Sequence, residues 1–468
     1  MKYCKLFIIL ALALCLVLTG CARKEKAPPE PTPTPPVHFS AGDVDAATET
    51  LQIRLAAGET ALLDSLPALR AVDLSGSENE EEVAAWAKAH PQISARYSVT
   101  LPGGTVLDYD ARSADLSAMS AADCEAAAHK LALLPGIESV KLGAEGGALG
   151  WSDIARLRQI LPKPAFKYAF KLYGLDCDLS DTTINLYRVP VTDNGNFIDE
   201  VMNYMPQLTY VDMDSCGLDV KRLEDINLRH PNAKVVFRVF FGDNYTARTD
   251  AERILASMAS RGGMLTNDNV DGLYYCHDVK YLDLGHNTFL TDIGFCSRMP
   301  KLEVAILSMC NIRDLTPLAS CAELEYLELS NTYAADLRPL SKLSNLRHLN
   351  VASIGYDFYG DGERPSLTDI TPLYSLTGLE RLWLGAFNPI PTAQVEEFHR
   401  LVPNCEINLT VYEDPVGERW RYIELANYID TYVDKLHPRY EKLREQFEDY
   451  AYTAYNFTWN DPLYVEDW

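Results

Sequence analysis

Positive charge is scarce in this chain. Forty-two Lys and Arg stand against 66 Asp and Glu, a formal net charge of −24 at pH 7. So acidic a chain repels phosphate backbones, and nucleic acid is not an expected partner. Long apolar runs are scarce as well. Residues 7–18 form the one such run, short of the ~20 residues a spanning helix needs. Catalytic signatures are missing: there is no Walker loop, HExxH, GxSxG or CxxC, and none of the nine histidines has a second at metal-ligand spacing. No catalytic residue, metal ligand or cofactor is therefore expected. Recognition is the expected function class, with an enzyme using acids on the concave face as a remaining alternative.

What is present begins with the leader. Lys2 and Lys5 precede the apolar run, which ends on "LTGC", residues 18–21. This is the layout of a cleavable secretory signal. The small residues before Cys21 resemble the lipobox of bacterial lipoproteins. That resemblance implies cleavage before Cys21, a lipid on Cys21, and anchorage on the extracytoplasmic face of a bacterial membrane. One acyl chain holds a protein only marginally, whereas two suffice. Arg23, Lys24 and Lys26 follow at headgroup level. Six of residues 27–36 are proline, which makes an extended, semi-rigid spacer. Residues 1–20 are thus read as signal and 21–40 as tether.

Eleven cysteines are present. Cys4 and Cys15 belong to the leader and Cys21 to the anchor. Cys124, Cys177, Cys216, Cys276, Cys296, Cys310, Cys321 and Cys405 are scattered. An exported protein can oxidise eight thiols. Several fall at core-like positions, so small buried thiols are the other reading.

Internal repeats dominate the second half. "VKYLDLGHN" (279–287), "LEVAILSMC" (302–310), "LEYLELSNT" (324–332), "LRHLNVASI" (346–354) and "LERLWLGAF" (379–387) share LxxLxL. "IRDLTPLASCAE" (312–323), "AADLRPLSKLSN" (334–345) and "LTDITPLYSLTG" (367–378) share x-D-[LI]-x-P-L. Together these resemble leucine-rich repeats, the second phrase being similar to the short repeats of internalin-type bacterial surface proteins. The resemblance implies an α/β leucine-rich-repeat solenoid. Its curved parallel sheet would be lined on the convex face by helices and turns. Asn287 fits the ninth position, where a side chain bonds backbone inside the turn. Cys310 and Thr332 replace it in the next two units.

A longer period runs through the first half. "LRAVDLSG" (69–76), "IESVKLGA" (137–144), "LTYVDMDS" (208–215) and "VKYLDLGH" (279–286) begin 68, 71 and 71 residues apart. A second phrase recurs between them: "HPQISARYSVTL" (90–101), "LPKPAFKYAFKL" (161–172), "HPNAKVVFRVFF" (230–241) and "VPNCEINLTVY" (402–412). Each of the first three follows a helical pattern, over 80–91, 151–162 and 220–231. Residues 41–278 are read as divergent longer repeats, similar to the ribonuclease-inhibitor type with outer helices. Each period holds two or three coils. Residues 279–410 are read as regular repeats. In 411–468, apolar residues from Tyr422 to Tyr450 step by threes and fours, which predicts a Tyr-rich helical cap that Pro438 interrupts.

The third and fifth residues of each LxxLxL strand should face outward on the concave sheet. The third-position column holds Tyr210, Tyr281, Val304, Tyr326, His348 and Arg381. The fifth holds Asp212, Asp283, Ile306, Glu328, Asn350 and Trp383, and of the twelve all but Val304 and Ile306 are candidate ligand contacts. Tyr, Trp and Arg are the usual anchors of binding surfaces, and acids beside aromatic rings also suit sugars. A protein or glycan ligand on this face is the expectation, with the chain a monomer. The same side chains equally suit cross-strand packing. A second possibility is an envelope-assembly scaffold that docks through the C-terminal helices. His90 and His230 precede prolines at helix ends, where the dipole suits them. Cys276-His277-Asp278 is not expected to be a site, since neighbours in a strand face opposite ways. Asp357, Asp361 and Glu363 lie in an eleven-residue excess whose spacing does not match an EF-hand, so an exposed polar loop is expected.

Overall fold

A computed structural model describes residues 35–257, 264–354, 365–385, 388–409, 422–424 and 435–436. The signal, the anchor at Cys21, most of the tether and the acidic loop at 355–364 lie outside the described residues. Residues up to Glu138, with Gln159–Leu161, form one compact unit; Ser139–Arg158 and the chain from Pro162 onward form a second.

The long period resolves into three coils and a hairpin. In the first unit, Thr50–Gln52, Ala71–Asp73 and Ser94–Arg96 make a three-stranded parallel sheet. The chain then doubles back as the antiparallel pair Ser98–Thr100 and Val106–Asp108. The second unit repeats the order. Thr183–Asn185, Tyr210–Asp212 and Lys234–Val236 are parallel, and Arg238–Phe241 pairs with Tyr245–Arg248. The recurring second phrase is therefore the third strand of a set running into its hairpin. Helices form where the pattern predicts them, at Glu80–Ala89, Trp151–Ile160 and Val220–Arg229. Asp219 caps the last of these by accepting from the Lys221 N–H at 2.9 Å.

A seven-stranded parallel sheet follows. Its strands are Arg253–Leu255, Tyr281–Asp283, Val304–Ile306, Tyr326–Glu328, His348–Asn350, Arg381–Trp383 and Glu406–Asn408. It begins one coil before the regular repeats do at 279. Each strand is only three residues long, so its middle side chain is buried by the coils on either side; in the four strands where that residue is leucine, Leu282, Leu327, Leu349 and Leu382 are fully buried. The D-[LI]-x-P-L phrase has a local explanation. Asp314, Asp336 and Asp369 accept from the N–H two residues on, at 2.8, 3.0 and 2.9 Å. Pro317, Pro339 and Pro372 then open the 3-10 turns Thr316–Ser320, Arg338–Lys342 and Thr371–Ser375, where a missing N–H costs nothing. The leucine after each proline is buried.

The corner after each strand carries the ninth-position side chain. Asn287 donates to the Ala256 and Leu284 carbonyls, both at 2.8 Å, and accepts from the Leu265 N–H at 2.8 Å. The Cys310 thiol lies 3.0 Å from the Leu284 carbonyl, and the Thr332 hydroxyl donates to Leu329 at 2.8 Å. Ser77 does the same work in the first unit, donating to Leu74 at 2.8 Å and accepting from Leu55 at 2.9 Å. Asn388 completes the series by donating to Val351 and Leu384. One extra residue in its corner hides it from a strict ninth-position count. Coil upon coil of this kind is the α/β leucine-rich-repeat solenoid.

The helical cap expected over 411–468 lies almost wholly outside the described residues. The two described pieces depart from it. Tyr422–Glu424 pairs antiparallel with Lys435–Leu436. Aromatic and β-branched residues at 422 and 423 favour extended backbone, and at these positions that preference prevails over the three-and-four spacing.

Asn287→Ala should lower stability by about 2–4 kcal/mol, because two carbonyls and one amide lose a buried partner together. Urea unfolding of the variant checks this. A loss under about 1 kcal/mol would mean that the corner does not depend on its side chain.

Candidate binding face

The register sets the two columns side by side. Tyr281, Val304, Tyr326, His348, Arg381 and Glu406 are successive partners, as are Asp283, Ile306, Glu328, Asn350, Trp383 and Asn408. Eight of the ten residues singled out from the sequence share this sheet. Tyr210 and Asp212 do not; they sit in the middle strand of the preceding three-stranded sheet. The strands Lys234–Val236 and Arg253–Leu255 and a hairpin intervene in the chain, so the columns are not continuous from Tyr210 to Tyr281.

The fifth position has a local task. Asp212 accepts from the Asp214 N–H at 3.0 Å, Asp283 from Gly285 at 2.9 Å, and Asn350 from Ala352 at 3.0 Å. Asp73, Asp115 and Asn185 repeat the bond with Ser75, Ser117 and Tyr187. A short acceptor here turns the chain out of the strand. The acidic column is thus in large part a strand-ending device.

Side chains of both columns pack along the sheet. Tyr281, Val304, Ile306, Tyr326, Ala352 and Trp383 form one apolar cluster. The Tyr281 hydroxyl donates to Glu303 at 3.2 Å, and burial, with Glu303 beside it, pushes this phenol up to about 12. Tyr326 donates to Glu328 and lies against the His348 ring, 6.0 Å between centroids. Arg381 reaches Glu406 at 3.3 Å.

Burial separates this face from its counterpart in the first unit. Thr50, Gln52, Ser94 and Arg96 are exposed, and Ala71 and Asp73, on the middle strand, are half-buried. They line a shallow depression of about 380 Å³. In the seven-stranded sheet, Ile306 and Tyr326 are each only 3% exposed, Glu328 3% and Trp383 5%.

Around Tyr210 the structure assembles a charged lattice that the sequence reading missed. Its hydroxyl donates to Asp250 at 3.0 Å and accepts from Arg248 at 2.8 Å. Arg248 also pairs with Asp212 at 3.0 Å, and Arg238 with the fully buried Asp214 at 3.0 Å. Burial, with the Asp250 bond, pushes the Tyr210 phenol up to about 12. Arg238 and Arg248 come from the hairpin, which the repeat spacing gave no reason to expect. The one available signal is the alternation in "RVFF" and "YTAR".

The histidines and thiols have structural partners. His230 ends its helix, but its Nε2 lies 2.8 Å from the buried Asp199, which also accepts from Arg222 and Arg229 at 2.9 and 2.6 Å. Cys276 is buried, His277 reaches Glu224 at 3.3 Å, and Asp278 pairs with Lys234 and Lys301. All eight scattered cysteines are free thiols, and seven are buried. Burial raises Cys276 and Cys310 to about 12 and Cys321 to about 11. Among the described residues, no group of three His, Cys, Asp or Glu is arranged to hold a metal, and no helix is long and apolar enough to cross a membrane.

Two predictions follow from these partners. The Glu224 bond raises the His277 pKa. The stability it supplies is complete below about pH 6.5, the unfolded value, and fades as pH rises through the folded value. His277→Gln should therefore lower the urea midpoint at pH 5.5 and leave it unchanged at pH 9; equal losses at both would show that the charge is not involved. Iodoacetamide at pH 7.5 should leave Cys276, Cys296, Cys310 and Cys321 unlabelled in the native protein and label them in urea, as mass spectrometry would read.

No family model matches the chain. Over 106 residues it is 35% identical to the cilia- and flagella-associated protein 410 of Mus musculus, a stretch that covers 23% of this chain and 42% of that protein. The chain thus spans less than half the length of that curated relative. Among solved structures, an internalin C2 from Listeria monocytogenes aligns at 19% identity and TM-score 0.28, over 56% of this chain and 85% of its own. A leucine-rich-repeat protein of Leptospira interrogans aligns at 17% identity and TM-score 0.29, over 74% and 92%.

Proposed function

We propose that this chain is a non-catalytic leucine-rich-repeat binding protein. A lipid on Cys21 holds it at the extracytoplasmic face of a bacterial membrane, and it recognises a protein or a glycan through the outward face of its strands. The observation that carries the reading is the pair of in-register columns, which gathers Tyr281, Tyr326, Arg381 and Trp383 on one sheet face. Aromatic and Arg side chains presented together on a rigid scaffold are what binding surfaces use. The "LTGC" stretch and the proline spacer support the anchor.

The test is capture from envelope extract and on a glycan array, with the full chain and with the Tyr281→Ala, Tyr326→Ala, Trp383→Ala triple variant, each verified as folded by circular dichroism. The triple variant should bind at least about 30-fold more weakly, as loss of a hot-spot residue worth about 2 kcal/mol predicts. Equal binding by the two folded proteins would move recognition off this face. Cells fed a labelled fatty acid should incorporate the label into the parent chain and not into the Cys21→Ser variant; a parent chain without label would sink the anchor.

A further inference from the structure

We infer that the outward face of the three-stranded sheet in the first unit is a separate binding site, and that its ligand is a neutral saccharide. The site is the depression of about 380 Å³ over Thr50–Gln52, Ala71–Asp73 and Ser94–Arg96. That volume falls at the low end of ligand sites, which run upward from about 300 Å³. Register builds it. Thr50, Ala71 and Ser94 are successive partners, as are Gln52, Asp73 and Arg96. The first row holds only small side chains, where the seven-stranded sheet holds Tyr281, Val304 and Tyr326. A ligand can therefore lie close against the strands, with the longer polar side chains of the second row at its flank. Thr50, Gln52, Ser94 and Arg96 are all exposed.

The polar groups around the depression are not consumed by the fold. Among the described residues, the Thr50 and Ser94 hydroxyls and the Gln52 amide have no hydrogen-bond partner. Arg96 reaches one carboxylate, Asp110, at 3.8 Å, and the Tyr109 ring lies 5.9 Å from its guanidinium. In the seven-stranded sheet, by contrast, Tyr281, Tyr326 and Arg381 each hold a carboxylate. Asp73 accepts from the Ser75 N–H at 3.0 Å. Bonds from Ser75, with the Arg96 charge nearby, hold the Asp73 carboxyl below its usual range. The depression therefore presents one carboxylate and one guanidinium, partnered in register, and no net charge, in a chain of net charge −24. An anion would meet Asp73 and a cation would meet Arg96. An apolar ligand would take water from both and return no hydrogen bond. A sugar hydroxyl donates and accepts, so neighbouring hydroxyls can donate to Asp73 while accepting from Arg96 and Gln52. Protein interfaces centre on aromatic anchors in water-free pockets, and no aromatic residue lines this depression.

The inference does not rest on the proposed function, whose ligand belongs to the seven-stranded sheet, and the two fail separately. The probes are neutral oligosaccharides of glucose, galactose, mannose and N-acetylglucosamine, arrayed beside glycans that carry uronic acids or free amines. The full chain is applied in a sugar-free detergent, and the strongest neutral ligand is titrated by calorimetry. Arg96→Gln, Ala71→Phe and the Tyr281, Tyr326, Trp383 triple variant are compared with the parent, each verified as folded by circular dichroism. Arg96→Gln, at an exposed position, serves alone if Ala71→Phe does not fold. The parent should bind neutral oligosaccharides. Arg96→Gln should weaken that binding at least about 10-fold, as loss of a hydrogen bond from a charged group predicts. Ala71→Phe, which fills the floor, should abolish it, and the triple variant should bind as the parent does. No neutral binding at about 10 mM sugar, binding confined to charged glycans, or full affinity in Arg96→Gln would each overturn the inference. So would a protein captured through Arg96 with no neutral sugar bound. Loss in the triple variant alone would overturn it too, by placing the sugar on the seven-stranded sheet, and would leave the proposed function standing. Sugar binding lost in Arg96→Gln, with every envelope partner still held by the triple variant, would uphold the inference and overturn the proposed function.

Discussion

A three-residue strand cannot bury its own leucines, and a turn that encloses backbone cannot leave that backbone unpaired. Everything else in this molecule follows from meeting both demands at every coil. Stacking meets the first, because Leu282, Leu327 and Leu349 are covered only when the coils on both sides are present. Asn287, Cys310, Thr332 and Asn388 meet the second by placing a donor against carbonyls that no strand partner reaches. Asn287 and Asn388 each donate to two carbonyls, whereas Cys310 and Thr332 each reach one. The substitutions are therefore unequal.

These demands explain which parts of the fold were legible. LxxLxL and D-[LI]-x-P-L are local codes, in which each letter has its partner within one coil or the next. The leucines, the Asp acceptors and the prolines could be read from spacing alone. The three outer helices at 80–91, 151–162 and 220–231 announced themselves by period. The hairpins were illegible because Arg238–Phe241 and Tyr245–Arg248 alternate as any strand does; nothing in the alternation says antiparallel rather than the next coil. The charged lattice depends on that hairpin, so Arg238, Arg248 and Asp250 could not be joined to Tyr210 in advance. Asn388 was missed by one inserted residue.

The site shows the same division. That the third and fifth positions share a face was correct for the eight residues of the seven-stranded sheet, since parity decides it. What those residues do was not in the spacing. Asp and Asn at the fifth position recur in both units because an acceptor two residues upstream of an N–H ends a strand, and a ligand need not be invoked for them. Tyr281, Tyr326 and Arg381 instead meet Glu303, Glu328 and Glu406, and Trp383 packs in the same cluster as the two tyrosines.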